Sequence, residues 1–111
     1  MSNRERSNGR YILVGDEPMA EPDLFVWAAW IETHDRRVAL TTIADGIEVS
    51  TVFLGLDHRF GPGEPILFET MVFAAVHPDL NGDTVRYSTW DEAEAGHAAM
   101  VQRVKAALIF V

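Results

Sequence analysis

Residues Val49 to Phe73 read VSTVFLGLDHRFGPGEPILFETMVF, two β-rich runs on either side of a glycine- and proline-rich loop, Gly55 to Pro65. The first run, Ile47 to Leu54, alternates with a period of two. Ile47, Val49, Thr51 and Phe53 fall on one face; Glu48, Ser50, Val52 and Leu54 fall on the other, and the first set reads as the core face. Upstream, Val38 to Ala44 joins this run through Asp45-Gly46, a hairpin signal whose type I′ turn takes positive φ at both central residues. Downstream, Ile66 to Val76 is apolar on both of its faces. That pattern predicts a central strand covered on two sides. Glu69 is the exception within it, and a carboxylate there needs an arginine partner or a wet site.

The remaining elements follow from their end signals. Arg10 to Val14 is β-rich and broken by Gly15 and Asp16, and Glu17 to Pro22 reads as a turn segment with two prolines. Pro22 suits the first turn of a helix and Asp23 its positive end. Leu24, Trp27, Ala28 and Ile31 form a helical stripe, while Phe25, Ala29 and Trp30 lie off it. A helix apolar around most of its circumference is covered on two sides, one by the sheet and one by a neighbouring subunit. Trp27 and Trp30 read as core or interface residues, with an aromatic ligand platform as the other reading. After the HPDLNGD turn, Thr84 to Ser88 is a short strand. Thr89 and Glu92 form a capping box that starts a helix from Trp90 to about Ala107. Ala93, His97, Met100, Val104 and Leu108 recur along it, with Gly96 permitting a close approach and His97 reading as a satisfied core or interface histidine. The order is β-α-β-β-β-β-α: an α+β fold with a twisted, mainly antiparallel five-stranded sheet packed by two helices.

The 111 residues make one domain, 1–111, with residues 1–9 as a loose terminus. Nearly half of them are apolar, which is high for a small core. Burial between subunits is expected to account for part of the excess and for the apolar C-terminus AALIFV, with an ordinary compact monomer as the other reading. There is no cysteine, hence no disulfide and no thiolate metal site. No signal peptide and no membrane span is visible, so the expected compartment is the cytoplasm. A net charge of −8 opposes binding to DNA or RNA, which needs a cationic surface. A small anion needs only a local cluster, and the basic residues are eight Arg and one Lys. Arg is the better bidentate partner for phosphate, although a GC-rich genome enriches it too.

The loop sequence Asp57-His58-Arg59-Phe60 combines an anion, an imidazole, a phosphate-type fork and a ring. It reads equally as a ligand loop and as a surface loop in which Asp57 bonds the backbone and Phe60 plugs the core. His58 and His77 flank opposite ends of one strand candidate, about 30 Å apart at strand rise, so no metal is expected. Ser50, Thr51 and Ser88 have no nucleophile-elbow context, and no phosphate-loop pattern occurs. The expectation is a protein that is not an enzyme and carries no cofactor. Arg86 and Arg103 are further candidate forks, pooled from two subunits to offset the acidic background.

Three segments resemble a family of small phage and prophage proteins: Ser50 to His58 (STVFLGLDH), Pro65 to Phe73 (PILFETMVF) and Arg86 to His97 (RYSTWDEAEAGH). The helix segment Trp27 to Ala39 fits the same pattern, and the likeness covers residues 24 to 105. The arrangement is similar to the Thoeris anti-defence sponge family. That resemblance implies a homo-oligomer, dimeric or a hexamer of dimeric units, which holds a cyclic ADP-ribose isomer or a cyclic oligonucleotide between protomers without cleaving it. It implies a cytoplasmic role in the bacterial host, intercepting an immune second messenger. No ligand residue is carried over from the family. From their own chemistry, Phe60 would stack on a base, Arg59, Arg86 and Arg103 would hold phosphate, and Asp57 or Glu69 would accept from ribose hydroxyls. The rival expectations are a small phage protein that inhibits a host protein or serves a structural role, and a hydrolase using His58 and Asp57.

Overall fold

The computed structural model describes residues 8–109. Eight elements run in order: β1 (Tyr11–Val14), β2 (Glu17–Ala20), α1 (Leu24–Thr33), β3 (Arg37–Ala44), β4 (Ile47–Phe53), β5 (Phe68–Phe73), β6 (Thr84–Tyr87) and α2 (Trp90–Ile109). The strands make two antiparallel sheets, a ribbon β1-β2 and a four-stranded sheet in the order β3-β4-β5-β6. The fold is α+β as expected, but the single five-stranded sheet is not. Tyr11–Val14 pairs instead with Glu17–Ala20, the segment expected as a turn. Gly15, at φ 62°, occupies the first of two turn positions between Val14 and Glu17, the place where a type II′ hairpin takes its glycine. Pro18 is tolerated because a two-stranded ribbon consists of edges only.

Asp23 caps α1: its Oδ1 accepts from the amides of Phe25 and Val26 at 2.9 and 3.1 Å. Pro22 therefore lies outside the helix rather than in its first turn. The inner face of α1 is fixed by Trp27, whose Nε1 donates to the Gly55 carbonyl at 3.0 Å, and by Ile31 against Gly55. Trp30 packs edge-on against Phe53 at 5.7 Å. The hairpin at Asp45-Gly46 forms, but of the two only Gly46 has positive φ, 76°. The turn is not type I′, and the ladder absorbs the difference as an irregularity between Thr42 and Ala44.

Helix α2 begins at the expected capping box. Thr89 Oγ1 accepts from the Glu92 amide and Glu92 Oε1 from the Thr89 amide, both at 3.1 Å. It covers one face of the four-stranded sheet. Beneath it lie two apolar clusters. One is built from Ile47, Val49, Val72, Ala74, Met100, Val101 and Val104. The other contains Tyr11, Phe53, Leu67, Phe68 and Ala93. Phe53 and Phe68 are fully buried, and each burial stabilises the fold by about 1.5–3 kcal/mol. Phe68 also meets Trp90 edge-on at 6.2 Å, so the aromatic contacts tie both helices to the sheet.

Between the clusters sits a polar layer. His97 is 6% exposed. Thr51 Oγ1 lies 2.8 Å from its Nδ1, Thr41 Oγ1 lies 2.9 Å from its Nε2, and Thr51 also bonds Thr70. A neutral imidazole offers one donor and one acceptor, and each hydroxyl can serve either way, so the layer is satisfied without charge.

The strand Ile66 to Val76 is shorter than expected, Phe68–Phe73, because Asn81 Oδ1 takes the Ala74 amide and a turn follows. Its second face is not covered. Phe68, Thr70 and Val72 are buried, but Phe73 is 50% exposed. Gly9 is tied down through its carbonyl to the Asp57 amide at 2.8 Å. Residues 1–7 of the expected loose terminus, and Phe110 and Val111 of the apolar tail, lie outside the described residues. Among the described residues no helix is long and apolar enough to cross a membrane.

Two measurements test this packing. A Cβ at Gly96 would run into the Tyr87 ring. Alanine normally adds about 1 kcal/mol of helix stability over glycine, but overpacking against a ring costs about 1–3 kcal/mol. Gly96→Ala is expected to lower the urea midpoint, and to raise it in a Tyr87→Ala background. Burial pushes the His97 imidazole below its ordinary 6.5. The unfolded chain therefore takes up a proton that the folded chain refuses. The contribution is complete above 6.5 and is lost as pH falls below it. The urea midpoint of the wild type is expected to drop as pH passes below 6.5, with a shallower drop in His97→Gln.

Candidate functional site

Five of the six residues expected to bind a ligand fall into three separate ion pairs. Asp57 and Arg59 pair with each other inside the loop, at 3.2 Å. Asp57 Oδ1 also accepts from the amides of Arg59 and Ile66, at 2.8 and 3.0 Å, and Arg59 Nη1 donates to the Gly63 carbonyl. Both side chains are nearly buried, at 10% and 11% exposure. They staple the loop shut, and the bonds they make there are to each other and to the loop backbone. Phe60, at the tip, is 95% exposed, so the reading that it plugs the core is overturned. His58 turns one ring nitrogen onto its own loop, with Nδ1 2.8 Å from the Leu56 carbonyl oxygen.

Glu69 and Arg86 pair on the uncovered sheet face, with Arg86 Nε 2.9 Å from Glu69 Oε2. Arg103 pairs with Asp83 at 3.3 Å. It belongs to α2, on the covered side of the sheet, and lines a small groove with Val85, Tyr87 and Met100. The six expected residues are therefore not brought together in one chain.

Strand register defines what the open face presents. Arg37, Val52, Glu69 and Arg86 stand side by side across β3, β4, β5 and β6. The next rows are Leu40, Ser50, Met71 and Thr84, then Thr42, Glu48 and Phe73. Every charged residue of these four strands lies in these rows. Glu69 holds Arg86 through Nε alone. Neither Nη group has a hydrogen-bond partner among the described residues, the side chain is 43% exposed, and a guanidinium held through Nε is suited to anion contact. Phe73 supplies a half-exposed ring on the same face.

A cleft of about 590 Å³ lies elsewhere, between the β1-β2 turn, the loop end and the start of α2. Asp16, Glu17, Glu64 and Asp91 line it with no arginine or lysine, so it repels a phosphate. A smaller basin of about 280 Å³ beside Val52 is lined by His34, Asp35, Arg36 and Arg37. The sequence reading missed the openness of this face and hence Phe73, Met71 and Arg37. The signal was present in β4, where Glu48 and Ser50 occupy the face that Glu69 shares. Among the described residues no three His, Asp or Glu side chains form a metal-binding group.

The staple can be tested directly. Asp57→Ala leaves the Arg59 and Ile66 amides without their acceptor, each costing about 1–3 kcal/mol if not rehydrated. Expected outcomes are a lower urea midpoint and proteolytic cleavage within residues 59–65 under native conditions. Arg59→Ala, which spares both amide bonds, is expected to have the smaller effect.

Compared with protein-family models, with curated proteins and with solved structures, the chain matches none of them.

Proposed function

We propose that the protein is a non-enzymatic binder that sequesters a small phosphorylated ligand on the open face of its four-stranded sheet. The ligand class is the cyclic nucleotide that the family resemblance implies, a cyclic ADP-ribose isomer or a cyclic oligonucleotide, captured in the host cytoplasm. The observation that carries this reading is the Arg86 fork, fixed through Nε by Glu69 with both Nη groups unspent. A guanidinium already held in place loses less side-chain freedom when an anion docks. Phe73 and Met71, on neighbouring positions of the same face, give a base an apolar surface to lie on. Ser50, and Glu48 together with the Thr42 hydroxyl that donates to it at 3.2 Å, lie on the same face for ribose hydroxyls. Phe60 and Arg103 lie off this face and are left out of the site.

Isothermal titration with cyclic ADP-ribose isomers and cyclic dinucleotides tests the reading. Micromolar or tighter binding is expected, with the ligand recovered intact after heat denaturation. Arg86→Ala is expected to weaken it at least tenfold, about 1.4 kcal/mol, and Arg86→Lys to restore part of the loss. Arg103→Ala is expected to leave it unchanged. The absence of heat with every ligand, or an Arg86→Ala protein that binds normally, overturns the proposal. Recovery of a cleaved ligand overturns its non-enzymatic part.

A further inference from the structure

Phe60 is more exposed than any other large apolar side chain among the described residues, at 95%. Residues 57–60 run without a turn or bend, and the chain bends only from Gly61, at φ 78°. Along this run Asp57 and Arg59 are half-buried while His58 and Phe60 are exposed, the alternation of an extended strand.

The bonds that hold the loop lie on both sides of Phe60, and none of them involves it. Asp57 Oδ1 accepts from the Arg59 amide on one side and from the Ile66 amide on the other. Arg59 Nη1 donates across the loop to the Gly63 carbonyl, and the His58 amide donates to the Ile66 carbonyl at 2.9 Å. The backbone groups of Phe60 and Gly61 have no hydrogen-bond partner among the described residues. The loop thus presents an extended segment whose ring and main-chain groups are free at one place and whose two arms are fixed on either side of it. That is the form in which an endopeptidase takes a peptide. The main chain pairs with the enzyme's cleft, and the residue before the scissile bond fills the S1 pocket. A phenyl ring fits an apolar S1 slot of the chymotrypsin kind. Because the segment is already ordered, docking forfeits little conformational freedom.

The crossing bonds also govern what happens after docking. When the enzyme's serine oxygen bonds to the Phe60 carbonyl carbon and the bond to Gly61 breaks, the serine proton passes through the enzyme's histidine to the Gly61 nitrogen. That amine does not diffuse away, because Asp57, His58 and Arg59 still tie the two halves together. Its return to the acyl carbon re-forms the Phe60–Gly61 bond and gives the serine back its proton. The outcome is a lasting complex instead of turnover.

We infer that the loop from Gly55 to Pro65 is a substrate-like inhibitory loop for serine endopeptidases with an apolar S1 pocket, in which Phe60 sets specificity and the Asp57–Arg59 pair is the support. The inference uses no residue of the open sheet face, so it stands or falls separately from the nucleotide reading.

Chymotrypsin and trypsin are the probes. The wild type is expected to inhibit chymotrypsin with a micromolar or tighter constant, to be recovered uncut at Phe60–Gly61, and to leave trypsin active. Phe60→Ala is expected to weaken inhibition about a hundredfold, as loss of an interface's central anchor does, with an unchanged circular dichroism spectrum. Phe60→Lys is expected to lose chymotrypsin and gain trypsin. Asp57→Ala, with its support removed, is expected to become a substrate cut at Phe60–Gly61. Chymotrypsin that stays fully active at tens of micromolar wild type overturns the inference. So does a wild type that is cut at Phe60–Gly61 with turnover, and so does inhibition that survives Phe60→Ala. If Asp57→Ala does not fold, the exchange of targets by Phe60→Lys still decides, and a variant that gains nothing against trypsin counts against the loop.

Discussion

One imidazole holds three strands and a helix in a single register. His97 reaches from α2 to Thr41 of β3 and Thr51 of β4, and through Thr51 to Thr70 of β5. Apolar contacts alone tolerate sliding, since one valine is much like another. This layer does not. A helix displaced by one turn, or a strand displaced by one pair, leaves a buried ring nitrogen or hydroxyl without a partner, at about 1–3 kcal/mol per group. The charged residues of the four-stranded sheet, Arg37, Glu48, Glu69 and Arg86, all occupy the opposite face. Among the described residues of the four-stranded sheet, Tyr87 is the titratable one packed towards α2. The partners of the ring are hydroxyls, so the layer works as a neutral one.

The same division of faces organises the electrostatics. With α2 covering one side of the sheet, charge is confined to the other. There it is paired sparingly, as in Arg86, which gives Glu69 its Nε and keeps its fork. In the loop the pairing goes to completion, and Asp57 and Arg59 neutralise each other within a shell of backbone bonds. Identical residue types therefore do different work. The difference lies in how many of their hydrogen-bonding positions the fold has already filled.

Much of this was legible in the residues. The alternation of Ile47 to Phe53 gave the buried face of β4, the Thr89–Glu92 box gave the start of α2, and Gly96 signalled a close approach, which Tyr87 makes. These signals are local or strictly periodic. The ribbon was hidden because Pro18 argues against a strand wherever a neighbour must be fed, and its role in an isolated pair cannot be inferred from composition. The uncovered face of β5 was hidden because apolar residues stand on both sides of that strand. Whether Phe73 meets a helix or water depends on how many helices the fold can spare, and α1 is engaged at the end of the sheet near Gly55. For the candidate site, the pairing of Glu69 with an arginine was foreseen as one option. The collapse of Asp57 onto Arg59 follows from loop geometry, which residue type alone does not disclose.

The ribbon and α1 join the rest through long-range contacts. Tyr11 donates its amide to the Gly55 carbonyl, the same oxygen that receives Trp27 Nε1, and Gly9 meets Asp57. In a chain made from its N-terminus, these segments emerge before the surface that shelters them. Trp27, Trp30 and Ile31 stay exposed until β4 and Gly55 have been synthesised, alongside an outer strip that is apolar from the start. Loop closure over such separations is slow compared with local helix formation, and exposed apolar surface in that interval invites aggregation. The nascent N-terminal third is thus the chain's point of greatest vulnerability during synthesis, and Gly55 is the residue whose arrival ends it.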